Sequence, residues 1–208
     1  MSPEELIDEL AERDYQVVGI TDHGFTRTVR SVGDFMLSKY AKHLRELQQK
    51  EKRLELKVGL EVDLSIDDGI NPEDLPFDFL NQLDYVLFEA GGLERNSLYR
   101  GVKPIAGIIN KLSVPAGLAH YDINDIYLDP KSLEEVIKLL SENNIFFEIN
   151  TGHGIPYLSN HSIQLLKMFE ISFVIGTDLH GRRRLDENVD EAHRFITDNG
   201  FKPHYFVA

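Results

Sequence analysis

The sequence contains no cysteine among its 208 residues. Disulfide bonds and zinc sites with thiolate ligands are therefore both excluded. It also has no run approaching the roughly 20 apolar residues that a membrane-spanning helix needs. The first residues, Met1–Ile7, are not basic and contain no long apolar run, so we expect no signal peptide. These absences predict a soluble protein and favour a reducing, cytoplasmic compartment.

Basic residues are scarce relative to acidic ones, with 22 Lys and Arg against 35 Asp and Glu and a net charge of −13. Proteins that bind the nucleic-acid backbone rely on clustered Lys and Arg, so the composition disfavours a nucleic-acid partner. Hydrophobic residues make up 42% of the chain, which is enough for one sizeable core. Because no linker or shift in composition interrupts it, we predict a single domain over residues 1–208.

Short apolar runs alternate with stretches of helical periodicity along the chain. The predicted strands are Gln16–His23, Leu56–Leu64, Asp84–Glu89, Val114–His120, Ile145–Asn150 and the run that begins at Phe173. The predicted helices are Ser2–Arg13, Asp34–Arg53, Pro104–Lys111, Lys131–Asn143, Asn160–Phe169 and Asp186–Asn199. Strands that are apolar on both faces and alternate with helices indicate a parallel sheet covered by helices. The sequence therefore predicts an α/β fold of the TIM-barrel-like type.

Polar residues follow the predicted strands, at the end where β/α barrels carry their reactive groups. These strand-end residues are His23, Glu61, Glu89, His120, Asn150, Asp178 and His180. Asp178 and His180 would point to the same side, because side chains alternate along an extended chain. Any one of these histidines alone is more often a structural residue, so the prediction depends on their joint position. Imidazole and carboxylate groups together suit Zn, Mn or Fe, and Glu61 could bridge two ions.

Two further residues are candidates for substrate contact. Arg182 belongs to the run Arg182–Arg184, which directly follows the Asp-x-His pair. Arginine suits bidentate contact with phosphate, although a solvated basic turn is an equally good interpretation. His153 lies in the loop Thr151–Pro156, where it could contact substrate or be exposed. Divalent ions at this mouth would bind a phosphate and activate water as a nucleophile.

Five segments occur in the order seen in one protein family. They are Ile20–Gly24, Gly59–Asp63, Leu118–His120, Phe147–Asn150 and Gly176–His180. Over essentially its whole length the chain resembles the PHP family, the polymerase and histidinol phosphatase domains. The resemblance implies a distorted seven-stranded β/α barrel with a trinuclear metal site that hydrolyses phosphoesters. It implies metal-ligand roles for His23, Glu61, His120, Asp178 and His180, with Glu61, Asp178 and His180 central to catalysis.

The chain departs from the family pattern at two points. The family opens with a strand bearing His-x-His, whereas Met1–Ile7 resembles the segment that follows it, so we expect the first strand to be missing. The strand that ends at Glu89 normally continues to a ligand histidine, and here Ala90 and two glycines follow. Either Glu89 substitutes as an oxygen ligand or that ligand is absent. Each of two or three ion positions would then keep few protein ligands, and occupancy would be partial.

The expected function is metal-dependent hydrolysis of a phosphoester, with a small phosphorylated metabolite as substrate. One alternative is a catalytically impaired PHP-like scaffold, as in a ribonuclease P protein subunit that is thought to share this barrel and lacks the ligands. Another is a nuclease, which the acidic charge disfavours. A missing first strand would also expose the edge of Val17–Thr21, which predicts a homo-oligomer.

Overall fold

The computed structural model describes residues 1–26, 31–33, 36–64, 69–89, 97–121, 130–179 and 185–204. Its strands are β1 Val17–Ile20, β2 His23–Gly24, β3 Glu55–Asp63, β4 Tyr85–Glu89, β5 Ala116–Leu118, β6 Phe146–Asn150, β7 Ser172–Gly176 and β8 Lys202–Pro203. They form one parallel sheet in the order β1-β3-β4-β5-β6-β7-β8, and β2 pairs with β3 beyond the end of β1. Within the described ranges no pairing joins β1 to β8, so the sheet is a half-barrel.

Helices connect the strands that pair with each other, as parallel pairing requires. They are α1 Pro3–Glu12, α2 Leu37–Lys50, α3 Phe77–Leu80, α4 Ser97–Ile108, α5 Pro130–Glu142, α6 Asn160–Met168 and α7 Val189–Asn199, with short 3-10 helices at Pro72–Asp74 and Ile109–Lys111. At the start of α1, Ser2 and Glu5 form a reciprocal capping box. At the end of α7, Gly200 is the C-cap residue, with φ of +64°. Of the helices described, none combines the length and the hydropathy that a membrane span needs.

The two faces of the sheet have different chemistry. On β6, Phe147 and Ile149 belong to the main core, whereas Phe146 lies in a small inner cluster with Tyr85, Leu87 and Ala119. Further along the inner face, apolar residues give way to buried polar ones, including Glu61, Glu148 and Asn150. The outer face therefore packs against helices, and the inner face carries ionisable groups toward the carboxyl ends of the strands.

The α/β class and the barrel-like parallel sheet are confirmed, but one predicted strand is divided. The stretch Gln16–His23 forms β1 and β2, separated by two residues. The hydroxyl of Tyr40, from α2, accepts a hydrogen bond from the Asp22 N–H at 3.1 Å and donates one to the Gly59 carbonyl at 2.9 Å. A side chain thus takes the hydrogen bonds that a continuous ladder would have used. Strand β8 and helix α3 were not predicted, because both are very short.

Candidate metal centre

Three side chains meet at the carboxyl ends of neighbouring strands. His23 on β2 lies opposite Glu61 on β3, and Glu89 ends β4, the next strand. One nitrogen or oxygen atom from each of these residues lies within 4.8 Å of the others. His23 Nδ1 is 3.4 Å from Glu61 Oε1 and 3.8 Å from Glu89 Oε2. Among the residues described, this cluster has the donor atoms and the spacing of a divalent-metal site.

His120, just past the end of β5, approaches the same cluster. Its Nε2 lies 3.0 Å from Glu61 Oε1 and 3.9 Å from Glu89 Oε1. Its backbone is left-handed, with φ of +37°. Two imidazoles and two carboxylates therefore converge from β2, β3, β4 and the end of β5. Glu61 is the central member, because its Oε1 is the nearest carboxylate oxygen to both imidazoles.

Burial and charge set the ionisation of these groups. Burial would lower the pKa of His120, but the hydrogen bond and the charge of Glu61 raise this pKa to about 9. Burial would raise the pKa of Glu61, yet His120 lowers it overall. Burial raises the pKa of Glu89, and the neighbouring charge of Glu61 raises it further. The carboxylates of Glu61 and Glu89 repel each other when both are ionised. Positive charge, which the imidazolium of His120 supplies here and a divalent cation could supply instead, relieves this repulsion.

A cavity of about 580 Å³ opens beside the cluster. Its wall includes His23 and Glu61 and continues to Asp178, just past β7. Asp178 Oδ2 is 3.6 Å from His153 Nε2, and the His153 and His120 rings are 5.5 Å apart. Asp178 and His153 thus lie at the same mouth as the cluster, with His153 more than half exposed.

The structure therefore brings together His23, Glu61 and His120, and it places Glu89 beside them, the residue for which the sequence left open whether it is a substitute ligand. Asp178 lines the same cavity, and His153 contacts it. His180 and Arg182 lie outside the described residues, so their roles stay predictions.

One residue of this site was not predicted from the sequence. Glu148 on β6 is buried, and its Oε2 accepts a hydrogen bond from the His120 N–H at 2.8 Å. Burial is the main reason that the pKa of Glu148 is raised to about 7. The alternation of side chains along the strand could have identified Glu148. Phe146, Glu148 and Asn150 fall on one face of the strand, and Asn150 was already a strand-end candidate.

No family model matches the chain, and a search of curated proteins found no match either. Similar solved structures include N-isopropylammelide isopropylaminohydrolase from Burkholderia multivorans, with 10% identity, a TM-score of 0.52 and coverage of 95% of this chain and 57% of that one. They also include phospho-2-dehydro-3-deoxyheptonate aldolase from Thermotoga maritima, with 15% identity, a TM-score of 0.46 and coverage of 82% and 45%. The IolI protein with a zinc atom has 9% identity, a TM-score of 0.46 and coverage of 96% and 92%.

The chain spans about half the length of the first two structures. At 10% identity, the likeness to the aminohydrolase shows the fold alone. The class that fold and site define is an α/β protein of the TIM-barrel-like type with a candidate divalent-metal centre.

Proposed function

We propose that the chain is a metal-dependent hydrolase that holds divalent metal through His23, Glu61, Glu89 and His120. The observation that supports this proposal most directly is the convergence of these four side chains at the carboxyl edge of the sheet. In β/α barrels this edge carries the reactive groups. The donor set, two imidazole nitrogens with carboxylate oxygens, suits Zn, Mn or Fe.

The protein groups have separable tasks in this proposal. Glu61 lies between the two imidazoles, with its Oε1 at 3.4 Å from His23 Nδ1 and 3.0 Å from His120 Nε2, and its second oxygen would allow it to contact two ions. A bound divalent ion supplies Lewis acidity, which activates water and stabilises negative charge on the substrate. The adjacent cavity of about 580 Å³ has the size of a small-molecule site.

Within this class we propose a phosphoesterase of the PHP type that acts on a small phosphorylated metabolite. The support is the ordered resemblance of five segments to that family, together with the arginine run that begins at Arg182. Asp178 and His180 would complete the ligand set for two to three ions, and His153 would contact substrate beside Asp178. The net charge of −13 disfavours a nucleic-acid substrate.

The metal content of the purified chain tests the metal-dependent class. Protein prepared without chelator or histidine tag should contain at least one equivalent of Zn, Mn or Fe by plasma mass spectrometry. Glu61→Gln should lose most of that metal, because it removes the negative charge of the carboxylate that lies beside both imidazoles. Zinc should also raise the melting temperature of the wild type more than that of Glu61→Gln, since a ligand stabilises the state that binds it. A metal content below half an equivalent, with no thermal shift, would overturn the proposal.

His43→Asn is the matched control for loss of a histidine, because His43 lies on α2 and pairs with Glu4 at 3.2 Å. It should leave both readouts unchanged.

A substrate screen then tests the phosphoester assignment. The metal-loaded chain should release phosphate from small phosphorylated metabolites, and Glu61→Gln should reduce this rate at least about 100-fold. Release of an amine from N-isopropylammelide without phosphatase activity would keep the hydrolase class and overturn the phosphoester assignment.

A further inference from the structure

The hydrogen-bond ladder between β5 and β6 ends just before the candidate metal centre. Gly117 pairs with Phe146, and Leu118 pairs with Phe147. The next amide, that of Ala119, donates to the Phe88 carbonyl on β4 at 3.0 Å. The amide of the following residue, His120, then donates to a side chain of β6 and not to its backbone.

The acceptor of that amide is Glu148. The distance from the His120 nitrogen to Glu148 Oε2 is 2.8 Å, and Glu148 is 7% exposed. A carboxylate buried to this degree is costly without hydrogen bonds. The hydrogen bond to the His120 amide therefore gives a reason for an acidic residue in a strand that is otherwise largely apolar.

The backbone of His120 has a conformation that the site needs. Ala119 belongs to the inner cluster, so an extended strand would place the next side chain on the outer face. The left-handed backbone at His120, with φ of +37°, breaks this alternation. Its Nε2 consequently lies 3.0 Å from Glu61 Oε1, at the inner mouth. Non-glycine residues rarely adopt such a φ unless neighbouring contacts hold them there.

The space for the Glu148 carboxylate depends on Gly176 of β7. A Cβ atom at Gly176 would lie 1.9 Å from Glu148 Oε1 and 2.4 Å from its Cδ. Any side chain at this position would displace the carboxylate. Glycine is therefore required on the neighbouring strand for Glu148 to reach the His120 amide.

We propose that Glu148 is a positioning residue, which holds the backbone of His120 in the turned conformation that directs its imidazole to Glu61, and that Gly176 makes this possible. The inference rests on the proposed metal centre for its functional meaning, but the contact itself is independent of metal.

Zinc affinity, measured by competition with a chromophoric chelator, tests this role. Glu148→Leu removes the acceptor and should weaken zinc binding about 10-fold to 100-fold, the range found for groups that orient metal ligands. Glu148→Gln keeps an acceptor oxygen of the same reach and should restore affinity to within about 3-fold of the wild type. In a His120→Ala background, Glu148→Leu should cause no further loss, since its effect passes through His120. An equal loss in both backgrounds would overturn the proposal.

Nuclear magnetic resonance of the metal-free protein separates failure of this inference from failure of the proposed function. The amide and ring resonances of His120 should shift in Glu148→Leu and stay near wild type in Glu148→Gln. This expectation holds even if the chain does not bind zinc. Unchanged His120 resonances in Glu148→Leu would overturn the inference.

Gly176→Ala offers an independent variant, and it should reproduce the His120 shifts by displacing the carboxylate. Gly107→Ala is its matched control, because an added methyl there meets no atom within 4 Å. A Gly176→Ala spectrum in which His120 matches the wild type would also contradict the proposal.

Discussion

Asp84 joins helix α2 to the sheet through a single carboxylate. Its oxygens accept hydrogen bonds from Arg45 Nη1 at 2.7 and 2.8 Å, from Gln48 Nε2 at 2.9 Å and from the Val58 N–H at 2.7 Å. Burial alone would raise the pKa of Asp84, but these hydrogen bonds and the charge of Arg45 lower it overall. The ionised form of this residue therefore stabilises the fold.

Replacing Asp84 with Asn should lower the free energy of unfolding by about 2 kcal/mol at pH 7, because a charged acceptor is lost from a partly buried network. The folded-state pKa lies below the ordinary value of 3.8, so the stabilisation is present above that value and is lost as the pH falls through the folded-state pKa. The difference in free energy of unfolding between wild type and Asp84→Asn should be smaller at pH 3 than at pH 7. Urea denaturation at both pH values measures it, with the exposed Asp198→Asn as control. A gap that stays constant would contradict this account.

The strand-end residues of the candidate centre were predictable because the carboxyl ends of parallel strands lie at one edge of the sheet. His23, Glu61, Glu89 and His120 were all named from that rule. Glu148 was missed because alternation indicates only the face on which it lies, whereas its partner, the His120 N–H, is distant in sequence.

Helix α2 shows how an element is specified by periodicity. Leu44 is fully buried, whereas Lys42, two positions earlier, is exposed and 3.9 Å from Glu46. The spacing of its apolar residues predicted this face, because residues three and four apart share one side of a helix. Packing against the sheet therefore stabilises the helix mainly through a few side chains.

Leu44→Ala should lower the free energy of unfolding by about 2 to 5 kcal/mol, because it leaves a cavity in the core. Lys42→Ala on the same helix should change it by less than about 0.5 kcal/mol, as exposed ion pairs contribute little. Guanidinium denaturation of the two variants measures this contrast. Similar losses in both would show that α2 is not stabilised by its buried face.

Elements without a local periodic pattern were harder to predict from the sequence. Strand β8 has two residues and contains Pro203, so no pattern could identify it. The division between β1 and β2 depends on the Tyr40 hydroxyl, which reaches the sheet from another element. Such features follow from tertiary contacts, and sequence periodicity carries no signal for them.

At the scale of the whole molecule, the sheet has an open side at β1. In the described part of the chain β1 pairs only with β3, and Val17 is 47% exposed. An edge strand with an exposed β-branched residue is a template for pairing with another chain. We therefore expect the protein to self-associate through this edge.

Light scattering with size-exclusion chromatography should detect dimers or larger species at micromolar concentration. Val17→Lys should shift the population to monomer, because lysine on an edge opposes pairing. Met168→Lys, which replaces an exposed methionine on α6, is the matched control and should leave association unchanged. A monodisperse wild-type monomer would contradict the expectation.

The parallel order of the strands has a consequence for the time course of folding. Each strand pair joins segments that a long connection separates in sequence, and such non-local contacts are made slowly. His23 and His120 therefore come together only when β2 to β5 have assembled, and the unfolded chain presents no such centre. A stopped-flow experiment that follows zinc uptake during refolding should show a lag, with the ion captured only after the sheet has formed.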